Sequence, residues 1–316
     1  MSCPHNYEKF PNNVYPPRTI SISNDEYTLY KFSFKGLQDF YDFLKSNPKI
    51  NTSVWSSKLS SVSSDFEFAG IPYKKAIEKL VQEMDPGYQE YLKIQKQMKA
   101  TTGYVHKYRE IKSIAGGIVN PVDYISGSPT IYRTSRIVKQ PKFITINTQL
   151  AYYWGTSKSQ VFNRALIITN LIRALERQGY IVNLNSFMLA ENDGELIEAI
   201  FELKKVNQKI NYQALYKSLV DVEFFRRLCF RLIEISDVKS DWNHGYGHTC
   251  EKSMATYILK LGKDDIYFDQ PSSMSIYGDD IGDDFESVVD ELELKDVIDV
   301  KREKEALIKG VKVLKK

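Results

Sequence analysis

Cysteine and histidine are scarce in this chain, three of the first and four of the second in 316 residues. Cys3, Cys229 and Cys250 are an odd, widely spaced set. They build no disulfide framework, so a reducing compartment is the expectation. No apolar run approaches the roughly 18 residues of a membrane-spanning helix, so no membrane partner is expected. Met1-Ser2-Cys3-Pro4-His5-Asn6 lacks the apolar core of a secretory leader. These absences point to a soluble, cytoplasmic protein.

What is present is ordinary for a globular chain: 42% hydrophobic and 26% charged residues. Tyr (21) and Phe (16) are plentiful enough for a large core or an aromatic interface. The net charge of +3 does not by itself argue for nucleic acid. Its distribution is uneven. Residues 1–140 carry 19 Lys and Arg against 13 Asp and Glu. Between Asp264 and Asp299 there are 13 acidic residues and one lysine, Lys295, before the Lys-rich end 301–316. Charge runs of this kind are solvated faces or docking surfaces for a charged partner, including a second copy. The abundance of Lys, Ile, Asn and Tyr suggests an AT-rich genome, such as a low-GC bacterium or its phage.

Local patterns divide the chain. Residues 1–30, rich in Pro, Asn and Ser, read as an extended N-terminal arm. Residues 31–140 read as a mostly helical region with short strands. Helices are expected over Gly36–Lys45, Tyr73–Met84 and Tyr88–Ala100, each with apolar residues at helix spacing. Ala115–Val119 and Val122–Ile125 read as short strands. Gly116-Gly117 lacks the spacing of a phosphate loop and reads as a turn. Residues 141–299 read as an α/β domain and 300–316 as a basic C-terminal helix.

The clearest signals lie in 143–203. Phe143–Asn147 is a strand. Ser157-Lys158-Ser159-Gln160 fits a capping box before a long apolar helix that ends at Gln178-Gly179. Ile181–Leu189 is a second strand. Asn192-Asp193-Gly194 is a hairpin turn, after which Glu195–Leu203 returns antiparallel, with a helix as the alternative for that last segment. Asn211 caps a helix from Tyr212, Val222–Ile235 is another, and Asp265–Asp269 is a late strand. Helices follow over Asp283–Leu292 and Arg302–Leu314.

This order, over 141–295, resembles the von Willebrand factor A-type fold. The resemblance implies a three-layer, Rossmann-like α/β sheet with one antiparallel edge strand. It also implies a ligand site at the carboxyl ends of the strands. Families of uncharacterised phage and mobile-element proteins are similar as well. They share a Gly-rich turn, a segment like Ser126-Gly127-Ser128-Pro129, and such a core. Domains of the A type carry Asp-x-Ser-x-Ser after the first strand to bind Mg²⁺. Here Asn147-Thr148-Gln149-Leu150-Ala151 stands instead. Asn147 and Thr148 keep the position as ligand or water contacts. Without a carboxylate they would hold a divalent ion weakly.

Three other segments carry candidate chemistry. His244, His248 and Cys250 are acceptable zinc ligands, in a Gly-containing loop whose alternative role is a packed turn. Asp279, Asp280, Asp283 and Asp284 are a carboxylate cluster that could hold Mg²⁺. The alternative for Asp283 and Asp284 is the positive end of a helix dipole. Tyr104, Lys107, Tyr108 and Arg109 interleave base and ring as nucleic-acid surfaces do, or form a linker face. Nucleophile triads are not supported. Ser128 lacks the Gly-x-Ser-x-Gly context, and Cys229 lies in an apolar helical run.

The sequence thus leads to a non-enzymatic interaction or assembly protein without a cofactor, encoded by a phage or mobile element. It would work in the host cytoplasm or in the virion. The alternative is a metal-dependent nuclease using the aspartates and the basic segment. That alternative requires both to line one cleft.

Overall fold

The computed structural model describes residues 6–51, 60, 70–82, 86–102, 108–113, 118–130, 132–137, 142–153, 155–206, 208–239, 249–271, 274 and 280–312. In chain order the strands are β1 (Val14–Ile22), β2 (Asp25–Phe34), β3 (Tyr108–Ser113), β4 (Ile118–Val119), β5 (Tyr132–Ile137), β6 (Phe143–Gln149), β7 (Ile181–Asn192), β8 (Glu195–Lys204) and β9 (Ile266–Phe268). The helices are α1 (Asn6–Lys9), α2 (Leu37–Lys45), α3 (Tyr73–Lys79), α4 (Pro86–Thr102), α5 (Pro121–Ile125), α6 (Lys158–Arg177) and α7 (Tyr212–Leu219). A π-helical segment (Phe224–Cys229) then runs into α8 (Phe230–Ile235), followed by α9 (Lys252–Leu259), α10 (Ile281–Glu291) and α11 (Val300–Lys312).

A six-stranded mixed sheet, in the order β1-β2-β8-β7-β6-β9, organises the molecule. β6 runs parallel to β7 and to β9, while β7 and β8 are antiparallel. The β7–β8 turn places Asp193 and Gly194 at φ 45° and 75°, the two positive values of a tight hairpin turn. α6 begins with both hydrogen bonds of the expected capping box, between Ser157 and Gln160. Asn211 caps α7 through Ala214 N, as expected.

β6 and β7 alternate residues between two unequal faces. Ile144, Ile146, Val182, Leu184 and Met188 join the large core beneath the helices. α6 is buried almost all round from Val161 to Leu175. It packs on β7 and is flanked by α7, α10 and α11. The second face buries Leu29, Phe187, Leu189 and Leu196 under Ala255 and Ile258 of α9.

Three expectations need correction. The N-terminal arm is instead a hairpin, β1–β2, within the main sheet. Its alternating Tyr30, Phe32 and Phe34 enter the core, and their burial holds the segment in place. In consequence β8 is not an edge strand, because β2 pairs parallel with it from Thr28 to Phe34. The edge on that side is β1, where Pro16-Pro17 and a register shift between Tyr15 and Arg18 interrupt the ladder. Finally, Val122–Ile125 is helical. Asn120 Oδ1 accepts from Val122 N, and Pro121 occupies the first helical position. Those start signals outweigh the strand preference of Val and Ile.

β3, β5 and β4 form a separate small sheet in that order. No helix among the described residues is long and apolar enough to cross a membrane.

Candidate functional site

The carboxyl end of β6 is where an α/β sheet of this kind would hold a ligand. Asn147 and Thr148 sit there on opposite faces. Asn147 Oδ1 accepts from Asn185 Nδ2 (3.2 Å). Thr148 Oγ1 accepts from Arg164 Nη2 (2.6 Å), and the same nitrogen reaches the Phe268 carbonyl (3.2 Å). The two side chains therefore do not converge on one ligand. A guanidinium occupies the Thr148 side, which opposes a cation there. Gln149 is spent on the neighbouring backbone: its Nε2 donates to Leu189 O (3.1 Å) and its Oε1 accepts from Leu189 N (3.2 Å).

Beyond the strand end, a polar cluster lies inside the core. Tyr152, Thr156, Arg164, Ser186 and Arg226 are each more than nine-tenths buried. Tyr152 and Thr156 belong to the loop between β6 and α6, and Arg164 to the second turn of α6. Ser186 stands beside Thr148 in the sheet register. Arg226 comes from the π-helical segment, a conformation enriched at functional sites. Its guanidinium carbon lies 4.6 Å from the Tyr152 ring centroid, and its Nη2 donates to Tyr153 O (3.1 Å).

Among the described residues, Tyr152 Oη, Thr156 Oγ1, Ser186 Oγ and Arg164 Nε have no hydrogen-bond partner. Burial raises the Tyr152 phenol above its ordinary range, opposed by Arg226 and Arg164, so it stays protonated. Burial pulls Arg164 down to about 10, opposed chiefly by Asp269, so it stays charged at neutral pH. Sequence reading missed this cluster. The available signal was arginine inside apolar helical runs, at 164 and in Phe224-Phe225-Arg226-Arg227-Leu228-Cys229. Arginine is rarely buried without a polar partner.

The other expected sites divide between structural roles and residues outside the described set. His244, His248 and Asp279 lie outside it, as do Tyr104 and Lys107. Cys250 packs in the second-face core with Leu189 and Ala255. Burial, reinforced by Glu191, pushes its thiol up. Burial likewise pushes the Cys229 thiol up. Asp280 stands at the N-cap of α10, with Asp283 and Asp284 in its first turn. Asp283 Oδ1 and Glu286 Oε2 both accept from Lys304 Nζ of α11 (2.6 and 2.7 Å). Among the described residues, no group of three or more His, Cys, Asp or Glu is arranged to hold a metal ion. Tyr108 and Arg109 open β3, paired with Ile137 and Arg136 of β5. α10 instead packs on α11 and α6, so these contacts do not bring the acidic and basic segments together.

One surface departs from the polar exterior. The β4–α5 segment exposes Val119 (44%), Val122 (72%), Tyr124 (65%) and Ile125 (83%) within seven residues. These side chains stand at the end of the small sheet.

The molecule is thus an α/β protein built on a six-stranded mixed sheet, with a small accessory sheet carrying an apolar end. A family model described as a domain of unknown function (DUF7192) matches residues 13–297, and the chain belongs to that family. No curated protein and no solved structure matches it.

Proposed function

We propose that this protein acts by contact rather than turnover, as an interaction or assembly protein encoded by a phage or mobile element. The observation that carries this reading is the apolar end formed by Val119, Val122, Tyr124 and Ile125. Large apolar side chains exposed together are costly in water and mark contact surfaces. Asn120 and Pro121 fix the short helix that presents them, so the surface is partly preorganised. Its partner is another protein or a second copy.

The scaffold behind it is read as a von Willebrand factor A-like core. The order β8-β7-β6-β9, with β8 running against its neighbour, supports that reading. So do helices on both faces of the sheet. The added β1–β2 hairpin departs from the pattern. No observation favours the nuclease alternative: Asp283 is engaged by Lys304, and Asp284 follows it at a helix start.

The test is a chain carrying Val122→Asp and Ile125→Asp. Both positions are exposed, so stability should change by no more than about 0.5 kcal/mol per site. Self-association by light scattering, or reproducible capture of one defined partner, should fall at least tenfold. A native chain that stays monomeric and captures nothing overturns the proposal. So does a double variant that binds as well as the native chain.

A further inference from the structure

The geometry points to a binding site for a small oxyanion at the carboxyl end of β6, enclosed by Tyr152, Thr156, Arg164, Ser186 and Arg226. This inference is independent of the apolar contact surface. The unpartnered atoms are three hydroxyls and one guanidinium N–H. Guanidinium nitrogen can only donate, and each hydroxyl can donate. A buried donor without an acceptor is costly, so an acceptor placed beside these groups would relieve that cost. An oxyanion brings several acceptor lone pairs at once, and two guanidinium charges favour it over a neutral molecule.

The surroundings agree in sign. Thr156 immediately precedes Ser157, the N-cap of the twenty-residue α6, so its hydroxyl lies at the positive end of a long helix. Arg226 and Arg164 both act electrostatically on Tyr152. Two carboxylates lie near. Asp269 faces Arg164, and its Oδ1 also accepts from Gln270 N (2.7 Å). Glu223 is held by Lys79 (2.7 Å). Neither has a hydrogen bond to the three unpartnered hydroxyls.

The depth of the cluster selects the size of the ligand. Every side chain in it is more than nine-tenths buried, which suits a group surrounded by protein rather than a docked macromolecule. Half-exposed Tyr153, whose carbonyl receives Arg226, marks the side next to solvent. The ligand class is a phosphate or carboxylate group, free or on a small molecule.

Thermal melting and isothermal titration in inorganic phosphate, against sodium chloride of equal ionic strength, test the site. Acetate and citrate run as parallel arms. Binding to the folded state alone must raise the melting temperature as the anion is added. A response to phosphate assigns a phosphoryl ligand, and a response confined to acetate or citrate assigns a carboxylate. The decisive variants are Tyr152→Phe and Thr156→Val. Their hydroxyls have no hydrogen-bond partner among the described residues, so ligand-free melting should be unchanged or higher. Affinity for the responding anion should fall about tenfold. The Val122→Asp, Ile125→Asp chain should keep the full response, which separates failure here from failure of the contact surface. No response beyond equal ionic strength overturns the site. An undiminished response in the Tyr152→Phe, Thr156→Val double variant overturns it equally.

Discussion

Glu198 is fully buried on the second face of the sheet, with Oε1 bound to Lys31 Nζ (3.0 Å) and Oε2 without a hydrogen-bond partner among the described residues. Burial raises its pKa, and Lys31 only partly opposes this. The folded chain therefore holds the Glu198 proton more tightly than the unfolded chain does. The resulting stability is complete below the ordinary carboxylate range and is lost as pH rises through the raised folded value. Glu198→Gln is expected to remove that component. Urea unfolding of both chains from the acid side to neutrality checks it, and parallel stability profiles would contradict it. Lys31 and Glu198 are opposite each other in the β2–β8 register, 167 positions apart in the chain. Neither residue is conspicuous in the sequence, because what makes Glu198 unusual is the burial that the parallel pairing creates.

Elements differ in how far their causes lie from them. The start of α6, the β7–β8 turn and the cap of α7 are set by residues within four positions, and local pattern finds them. Ser157→Ala should cost about 1 kcal/mol through loss of the cap, measured by urea unfolding. The packing of α4 against α11 has a distant cause. A Cβ at Gly310 would lie 2.9 Å from both Ile94 Cγ2 and Met98 Cγ, so glycine permits the close approach. Gly310→Ala gains helix propensity, yet should lose about 1–3 kcal/mol net through overpacking. A stabilised Gly310→Ala chain would show that the two helices adjust freely. Nothing near Gly310 in sequence announces this constraint, since Ile94 and Met98 lie more than 200 residues away.

At the scale of the whole molecule, the β1–β2 hairpin matters most. It continues the main sheet and adds Tyr30, Phe32 and Phe34 to the core. A chain lacking residues 1–34 would expose the edge of β8 and the apolar surface beneath it. Such a chain is expected to aggregate or unfold, as read by size-exclusion chromatography and circular dichroism. A soluble truncated chain with a native melt would contradict this expectation. The polar cluster is likewise a property of the whole, drawing Tyr152, Arg164, Ser186 and Arg226 from a loop, two helical segments and a strand.

By itself the sequence determined the α/β class, the strand-helix-strand-hairpin core and its caps, because hydrophobic period, turn chemistry and capping act over a few residues. Only the tertiary structure decided that β8 is internal, that Asn147 and Thr148 face apart, and that Arg164 and Arg226 are buried beside Thr148 and Tyr152. Those facts depend on which distant segments share a sheet and a core. Strand pairing and burial set them, and no local pattern encodes either.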